Sequence, residues 1–310
     1  MSSYEGLIRE LARILNADVR FLEKDFLMHN ILIKLTEAGF WRDFLFKGGS
    51  CLIKCYLGYY RFSVDLDFTY AEGERFLELP QKKVRRELSE KINEICGVFL
   101  RISKSLGLSF ACDKGDRRYI EIGGNNRFLT MKLWHRTLAG LEDFIKIQIN
   151  FAEKILFDPN RVTASSICPQ DKRLSIYGTH YQNYTRKIQV RAYHPHEILC
   201  EKIRSILTRK GVKHQDFIDV YMIAKNYQIE PQNLRKQIIE KTKPMLKLYQ
   251  KYRRNIVTNA KLLPDIRPKT IAMLAEEALL TNIDTDKFEA YVANLKKFLL
   301  DLIHELTATE

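Results

Sequence analysis

The sequence predicts an α/β (α+β) fold, in which a small mixed sheet flanked by helices is followed by a mostly helical C-terminal domain. Two observations support this prediction. Short runs with a period of two, typical of strands, occur up to residue 191 and alternate with segments of helical spacing. After Pro195 the spacing of apolar residues is mainly helical. We therefore expect one domain over residues 1–190 and a helical domain over residues 191–310.

The individual elements follow from the same periodicities. Helices are expected at residues 4–15, 22–38, 51–57, 82–106, 195–209 and 217–225. Strands are expected at residues 44–46, around Asp65, and at 146–151, 174–177 and 188–191. Residues 271–310 have the pattern of acidic amphipathic helices.

Two aspartates, Asp65 and Asp67, occupy alternate positions of an apolar strand. Side chains of a strand alternate between its faces, so both carboxylates project to one side while Leu66 and Phe68 point into a core. Carboxylates about 7 Å apart along one face repel each other unless a cation lies between them. Oxygen ligands of this kind suit Mg²⁺ or Mn²⁺, so we predict that both aspartates hold a divalent ion. The alternative is a structural strand whose aspartates cap neighbouring turns.

A glycine turn, Gly48-Gly49-Ser50, precedes this pair and is separated from it by fourteen residues. Glycines allow the backbone to come close to a ligand, and Ser50 is expected to cap a helix that begins at Cys51. Free N–H groups at the helix start, with the positive end of the helix dipole, would then bind an anion. A phosphate-binding turn beside metal-binding carboxylates predicts a nucleoside triphosphate site.

The same stretch resembles a known family. Gly48-Gly49-Ser50 followed by Asp65-x-Asp67 is similar to the first motif of the DNA polymerase beta superfamily of nucleotidyltransferases. The longer run FKGGSCLIKCY…RFSVDLDFTY resembles the AbiEii/AbiGii toxin branch, whose members typically contain lKGG[ST]aL…RfSeDlDf. The resemblance implies a nucleotidyltransferase fold with its active site in a cleft between the two domains. The residues expected to bind the triphosphate are Lys47, Gly48, Gly49, Ser50, Arg61, Ser63 and Lys202.

Members of the superfamily commonly carry a third carboxylate on a neighbouring strand. The candidate strand here, residues 146–151, has Gln148 and Asn150 on the corresponding face, and Glu153 follows as a weak substitute. This departure argues against a strict arrangement of three carboxylates and two metals. Many relatives in the toxin branch also lack the third acid, so the departure does not exclude activity.

A second motif begins at Pro195, which is well placed at a helix start. The segment resembles the toxin branch's E-[IL]-L-x-x-K…R…D-x-x-D-[LV]-[YF] motif through Glu197, Lys202, Arg209, Asp216 and Asp219. The resemblance implies that Lys202 contacts the triphosphate and that Asp216 orders Lys202, the metal or the attacking group, so both join Asp65 and Asp67 as catalytic residues. Alternatively, Lys202 packs its stem along an apolar stripe, and Asp216 caps the next helix.

The chain is strongly basic, with a net charge of +13 and a pI near 9.3. This balance indicates a polyanionic partner. Residues 235–269 contain eleven lysines or arginines and two acids, which accounts for most of the excess. Basic residues neutralise phosphates, and tyrosines can stack on unpaired bases. The expected RNA-binding residues are Lys247, Tyr249, Lys251, Arg253 and Arg254, with a merely solvated surface as the alternative.

The cysteines and the hydropathy bear on location. Six cysteines include no C-x-x-C pair and no zinc-finger spacing, which fits a reduced, intracellular protein. The N-terminus has an amphipathic helical pattern rather than that of a signal peptide. No run approaches the ~18 apolar residues of a membrane span. We expect a cytoplasmic protein without a membrane partner.

The motifs and the resemblance together predict metal-dependent transfer of a nucleoside monophosphate from a triphosphate to an acceptor hydroxyl, with release of pyrophosphate. The resemblance implies the 3′ end of tRNA, or another RNA, as acceptor. It also implies a toxin of a toxin–antitoxin or abortive-infection (phage-defence) pair with a cognate antitoxin protein. Two alternatives stay open: nucleotidylation of a protein or a small molecule, and a catalytically silent module that binds RNA or another partner.

Overall fold

The structure, a computed structural model, describes residues 3–211, 213–268 and 279–308. The chain divides into two compact units, one of residues 1–153 and 159–193 and the other of residues 154–158 and 194–310. The expected domain boundary at residue 190 falls inside the last strand of the first unit. Residues 271–278, where the acidic amphipathic segment was expected to begin, lie outside the described residues.

The first unit combines a mixed sheet with helices. Its strands are β1 (Phe44–Lys47), β2 (Asp65–Tyr70), β3 (Ile120–Gly123), β4 (Phe128–Arg136), β5 (Glu142–Asn150), β6 (Asn160–Ala164) and β7 (Ile188–Ala192). Its helices are α1 (Ser3–Leu15), α2 (Val19–Glu37), α3 (Gly48–Cys51), α4 (Gln81–Ser105) and α5 (Gly178–Thr185). The strands lie in the order β3-β4-β5-β2-β1-β7-β6. This confirms the predicted α/β class with a mixed sheet.

Strand β2 lies near the middle of the sheet, antiparallel to β1 and parallel to β5. Leu66 and Phe68 on β2 are fully buried, while the side chains of Asp65 and Asp67 are partly exposed on the other face. Behind β2, the ring of Phe40 stacks 4.4 Å from Phe44 and meets Phe68 edge-on at 5.0 Å. One face of the strand therefore packs in the core, and the other face, with both aspartates, is accessible to a ligand.

Residues 174–177 do not form the expected strand. They belong to a 3₁₀ helix, Lys172–Tyr177, whose first turn is capped by the Asp171 carboxylate through the Arg173 N–H. Leu174 is buried, whereas Ile176 is 79% exposed, so the apolar alternation does not correspond to one buried face. A cap and a 3₁₀ turn provide the backbone hydrogen bonds of this short segment locally, so the segment does not need to pair with the sheet.

The second unit is helical in the residues described. Its helices are α6 (Pro195–Thr208), α7 (His214–Tyr227), α8 (Arg235–Leu248), α9 (Gln250–Leu262) and α10 (Thr285–Ala308). Within it, the Glu197 carboxylate pairs with Lys241 Nζ at 2.5 Å and accepts hydrogen bonds from the backbone N–H groups of Leu156 and Phe157. Both side chains of the pair are fully buried. Glu197 therefore has a structural role, because it ties residues 154–158 to α6 and α8. No helix of the described residues combines the length and apolarity needed to cross a bilayer.

His29 on α2 gives the first unit a pH dependence. Its ring is fully buried, and Nε2–H donates to the Arg186 carbonyl oxygen at 2.9 Å. Burial, reinforced by the nearby Lys54 ammonium, lowers the pKa of His29 to about 3. In the unfolded chain this pKa is about 6.5. As the pH falls below about 6.5, His29 becomes protonated in the unfolded state but stays neutral in the folded state. The free energy of unfolding therefore decreases progressively.

We expect the free energy of unfolding to fall by about 2 kcal/mol more in the wild type than in His29→Gln between pH 6.5 and 5. Urea denaturation at both pH values measures this difference. All other titrating groups are common to both proteins, so the difference between their pH dependences reports on His29 alone. Equal losses in the two proteins would contradict a neutral, buried His29.

Candidate active site

The face of the sheet around Asp65 and Asp67 is the candidate active site. Strand β1 pairs Lys47 with Asp67, and β5 pairs Lys146 with Asp65 and Gln148 with Asp67. Register partners on adjacent strands point to the same face. These five polar side chains therefore share one face, contributed by three adjacent strands.

The first glycine of the turn lies directly against Asp67. Gly48 has φ +74°, and a Cβ atom there would lie 2.4 Å from Asp67 Oδ2. No side chain fits at such a distance, so glycine is needed both for the backbone conformation and for the close approach. The structure therefore brings the predicted phosphate-binding turn and the predicted metal ligand together.

The second glycine packs against the loop before β2. A Cβ on Gly49 would lie 2.4 Å from Arg61 Nη2 and 3.0 Å from Ser63 Oγ. Arg61 is only 5% exposed and donates from Nη1 to the Phe62 carbonyl oxygen at 2.7 Å. The guanidinium packs against the turn, and a guanidinium edge is well suited to bind an anion.

Ser50 does not cap the helix as expected. Helix α3 already begins at Gly48, its N-cap residue is Lys47, and a π-helical segment, Leu52–Leu57, continues it. The Ser50 hydroxyl instead donates to the Asp65 carbonyl oxygen at 2.5 Å. Ser50 cannot be the N-cap because it lies inside the helix. Its hydroxyl instead links the turn to the aspartate strand.

Gly48→Ala is expected to lower the nucleotide transfer predicted from the sequence at least ~10-fold, because the new methyl group displaces the Asp67 carboxylate. It should also cost about 1–2 kcal/mol of stability through its positive φ. Gly39→Ala is the matched control: Gly39 has φ +70° but nothing within 4 Å of its Cβ position. We expect Gly39→Ala to show the same loss in urea denaturation with unchanged transfer. Normal transfer by Gly48→Ala would contradict the importance of this contact.

The third carboxylate is absent from the corresponding position of β5. Gln148 is the residue beside Asp67, as its register shows. Asn150 is buried and donates to Glu153, which is itself fully buried. Asn150 pairs with Thr69 rather than with an aspartate, so Glu153 serves the end of β5 and not the aspartate face. The structure thus provides no substitute acid from this strand.

Lys146 is a site residue that sequence reasoning missed. Its Nζ lies 2.7 Å from Asp65 Oδ2, with both side chains partly exposed. The period of two places Lys146 on the face of Gln148, so the signal was present in the sequence. What the sequence lacked was the register that brings β5 beside β2.

A divalent ion fits this face by the chemistry of its donors. Asp65 and Asp67 offer carboxylate oxygens on one side of one strand, and Gln148 adds an amide oxygen beside them. Among the described residues there is no group of three or more His, Cys, Asp or Glu that could hold a metal. A metal on this face would have the two aspartates as its carboxylate ligands, with waters and substrate oxygens left to complete its coordination.

A buried ionic cluster supports the helix that follows the glycine turn. Lys54 Nζ, on the π-helical segment, lies 2.7 Å from Asp25 Oδ1 and 2.6 Å from the Tyr59 hydroxyl. Tyr59 and Tyr184 donate their hydroxyls to the same Asp25 carboxylate. Burial raises the pKa of both tyrosines well above the usual value, with the Asp25 charge adding to the shift. The cluster is therefore a fixed anchor for this helix.

In the second unit, the motif residues assemble around Lys202. Its Nζ lies 2.7 Å from Asp216 Oδ1 and 2.6 Å from Asp219 Oδ2. Arg209 contacts the other oxygen of Asp216 at 2.6 Å. The Lys202 side chain is 11% exposed, so two carboxylates on α7 fix the orientation of its ammonium. Asp216 lies in the first turn of α7, whose N-cap residue is Lys213.

The predicted RNA-binding residues lie at the corner between α8 and α9. Tyr249 and Tyr252 have ring centroids 5.2 Å apart, and Lys251 Nζ lies 5.3 Å from the Tyr252 centroid. The side chains of Lys247, Lys251 and Arg254 are exposed. Arg253 donates to the Leu246 carbonyl oxygen at 2.9 Å, so it also holds the corner together. Lys241, counted in the same basic stretch, is buried against Glu197 and does not belong to this surface.

A family model described as nucleotidyl transferase AbiEii toxin, type IV toxin–antitoxin system, matches residues 31–305 of the chain. The match spans the glycine turn, the aspartate strand, the Lys202 cluster and the basic corner. A search of curated proteins gives no match to the chain.

Proposed function

The chain belongs to the AbiEii nucleotidyl transferase toxin family of type IV toxin–antitoxin systems, and on this premise we propose how it acts. It transfers a nucleoside monophosphate from a triphosphate to an acceptor hydroxyl, with release of pyrophosphate. The acceptor is RNA, with the 3′ end of tRNA as the first candidate. This transfer takes place in the cytoplasm and blocks the RNA. A cognate antitoxin, which the family implies, counteracts the toxin. The pair serves as an abortive-infection defence against phage.

The observation that carries the proposal is the contact between the glycine turn and Asp67. A phosphate bound at the turn would lie beside the aspartate pair, because a Cβ on Gly48 would already touch the Asp67 carboxylate. The first N–H groups of a helix have no partner within it and are available to phosphate oxygens. The charges here do not oppose a polyanion: on the face Lys47 and Lys146 balance the two aspartates, and Arg61, which packs against Gly49, adds a positive charge at the turn.

The residues of the face have distinct roles in this reaction. Asp65 and Asp67 hold the ion, and Ser50 keeps the turn attached to their strand. A bound Mg²⁺ or Mn²⁺ would supply charge neutralisation for the phosphates and lower the pKa of the attacking hydroxyl. Lys47, Ser63 and the edge of Arg61 contact phosphate oxygens. Rate enhancement comes mainly from positioning and from fixed electrostatics.

We assign Lys202 to the β- and γ-phosphates, on the family resemblance. Its ammonium is held between Asp216 and Asp219, so the lysine is oriented before substrate arrives. Preorganisation of this kind avoids part of the entropy cost of fixing a flexible lysine. Asp216, which also contacts Arg209, acts as the positioning partner of Lys202.

The acceptor assignment rests on the basic corner. Exposed lysines and arginines beside a pair of tyrosine rings suit a single-stranded RNA, whose phosphates they neutralise and whose bases can stack. An alternative in the enzyme class is transfer to a protein or a small molecule. A non-enzymatic alternative, a silent RNA- or partner-binding module, is motivated by the neutral Gln148 at the position of the third acid.

The test is to incubate the purified chain with each α-labelled nucleoside triphosphate, Mg²⁺, total RNA and total protein. We expect label in small RNA, dependent on the metal and selective for some bases. Label in protein or in small molecules would instead support the second enzymatic function. RNA binding without any metal-dependent turnover would favour the silent module and overturn the proposed reaction.

A further inference from the structure

We propose that Lys146 acts as a built-in cation of the aspartate face, so that in the absence of substrate the site takes a single divalent ion and binds it weakly. This inference rests on the proposed function in one respect, namely that Asp65 and Asp67 hold the ion. It adds a positioning residue and a metal stoichiometry that the family assignment does not contain.

The Lys146 ammonium already contacts one of the two carboxylates proposed to hold the ion. Lys146 Nζ lies 2.7 Å from Asp65 Oδ2, and the side chains of Lys146 and Asp65 are 32% and 21% exposed. The register fixes this contact, because Lys146 is the direct partner of Asp65 on the parallel neighbour strand. A cation on Asp65 must therefore displace the ammonium or share the carboxylate with it.

The charge balance of the face leads to the same conclusion. Two carboxylates face Lys47 and Lys146, which come from the strands on either side, and Gln148 beside Asp67 is neutral. Before substrate binds, two divalent ions would leave a large excess of positive charge on a half-buried surface, and like charges a few ångströms apart are costly there. One divalent ion together with the Lys146 ammonium gives the more balanced arrangement.

Lys132 on β4 offers a matched control. It is the register partner of Lys146 on the other side of β5, so the two lysines share a face. The Lys132 ammonium contacts Glu121 at 2.6 Å and not an aspartate of the site. Removing either lysine changes the net charge of the sheet equally, but only Lys146 contacts a proposed metal ligand.

The experiment measures Mn²⁺ binding without nucleotide, by the loss of the free Mn²⁺ signal in electron paramagnetic resonance. We expect the wild type to bind one Mn²⁺ weakly, and Lys146→Gln to bind roughly tenfold more tightly or to gain a second ion. Lys132→Gln and the charge-conserving Lys146→Arg should match the wild type. Thermal unfolding of each variant verifies the fold, which a partly exposed lysine is not expected to disturb.

The outcomes separate this inference from the proposed function. Wild-type binding that is lost in Asp67→Asn but unchanged or weakened in Lys146→Gln would overturn the role of Lys146 and leave the proposed metal site standing. Equal tightening by Lys146→Gln and Lys132→Gln would show a general charge effect and would also overturn the inference. If no variant binds Mn²⁺ at any concentration tested, both the inference and the metal-dependent reaction fail.

Discussion

Asp67→Asn is expected to reduce nucleotide transfer at least ~10³-fold while leaving the fold intact. Asparagine has almost the same shape as aspartate, so the contact with the glycine turn persists and only the negative charge is lost. A neutral amide is a poor ligand for Mg²⁺ compared with a carboxylate. The initial rate of incorporation of labelled nucleotide into RNA measures the effect.

Glu90→Gln is the control for this substitution. Glu90 is an exposed acid on α4 of the same unit, so its loss changes the net charge by the same amount. We expect it to retain wild-type transfer, and both variants to unfold at the wild-type temperature. Residual transfer by Asp67→Asn above a tenth of the wild-type rate would remove Asp67 from the catalytic machinery.

The second large effect is expected for stability. The side chains of Lys54 and Asp25 are almost fully enclosed. Lys54→Met therefore leaves a buried Asp25 carboxylate whose remaining partners, among the described residues, are two tyrosine hydroxyls. Removing one partner of a buried ion pair costs about 3–5 kcal/mol. Urea denaturation of the wild type and the variant, followed by circular dichroism, measures the difference in the free energy of unfolding.

Two further proteins make the result specific. Lys34→Met removes an exposed lysine on α2 that pairs with Glu37, and it should cost less than about 1 kcal/mol. Asp25→Asn combined with Lys54→Met replaces the ion pair by a neutral set that the tyrosines can still satisfy. We expect this double variant to be more stable than Lys54→Met alone. A cost below 1 kcal/mol for Lys54→Met would show that the pair contributes little.

The parts of the site that lie within short stretches could be predicted from the sequence. Asp65 and Asp67 share a face because a strand has a period of two, and Leu66 and Phe68 show which face is buried. The glycine turn was identifiable because glycine is favoured where the backbone has positive φ, as Gly48 has. The family resemblance drawn from these residues is confirmed by the match over residues 31–305.

The parts that depend on long-range register or on backbone detail could not be predicted. The contact of Lys146 with Asp65 requires that β5 lie parallel to β2, and periodicity does not give strand order. The cap assigned to Ser50 was wrong because the helix begins at Gly48, three residues before the expected Cys51, which only the backbone dihedrals reveal.

Buried ion pairs were also missed, for a different reason. Asp25 follows two other charged residues, and Lys54 stands in an apolar run; a charged residue in either setting is usually assumed to reach solvent. Lys241 was counted as part of a basic surface by the same reasoning. The sequence shows the charge but not the distant partner that allows its burial.

The most direct test of the central claim is a crystal structure of the chain with Mn²⁺ and a non-hydrolysable nucleoside triphosphate analogue, with Mn²⁺ located by its anomalous scattering. The proposed function predicts an anomalous peak within ligand distance of the Asp65 and Asp67 carboxylates, and phosphate oxygens on the N–H groups of residues 48–50. A peak or a triphosphate bound elsewhere, with the aspartate face and the glycine turn contacting neither, would contradict it.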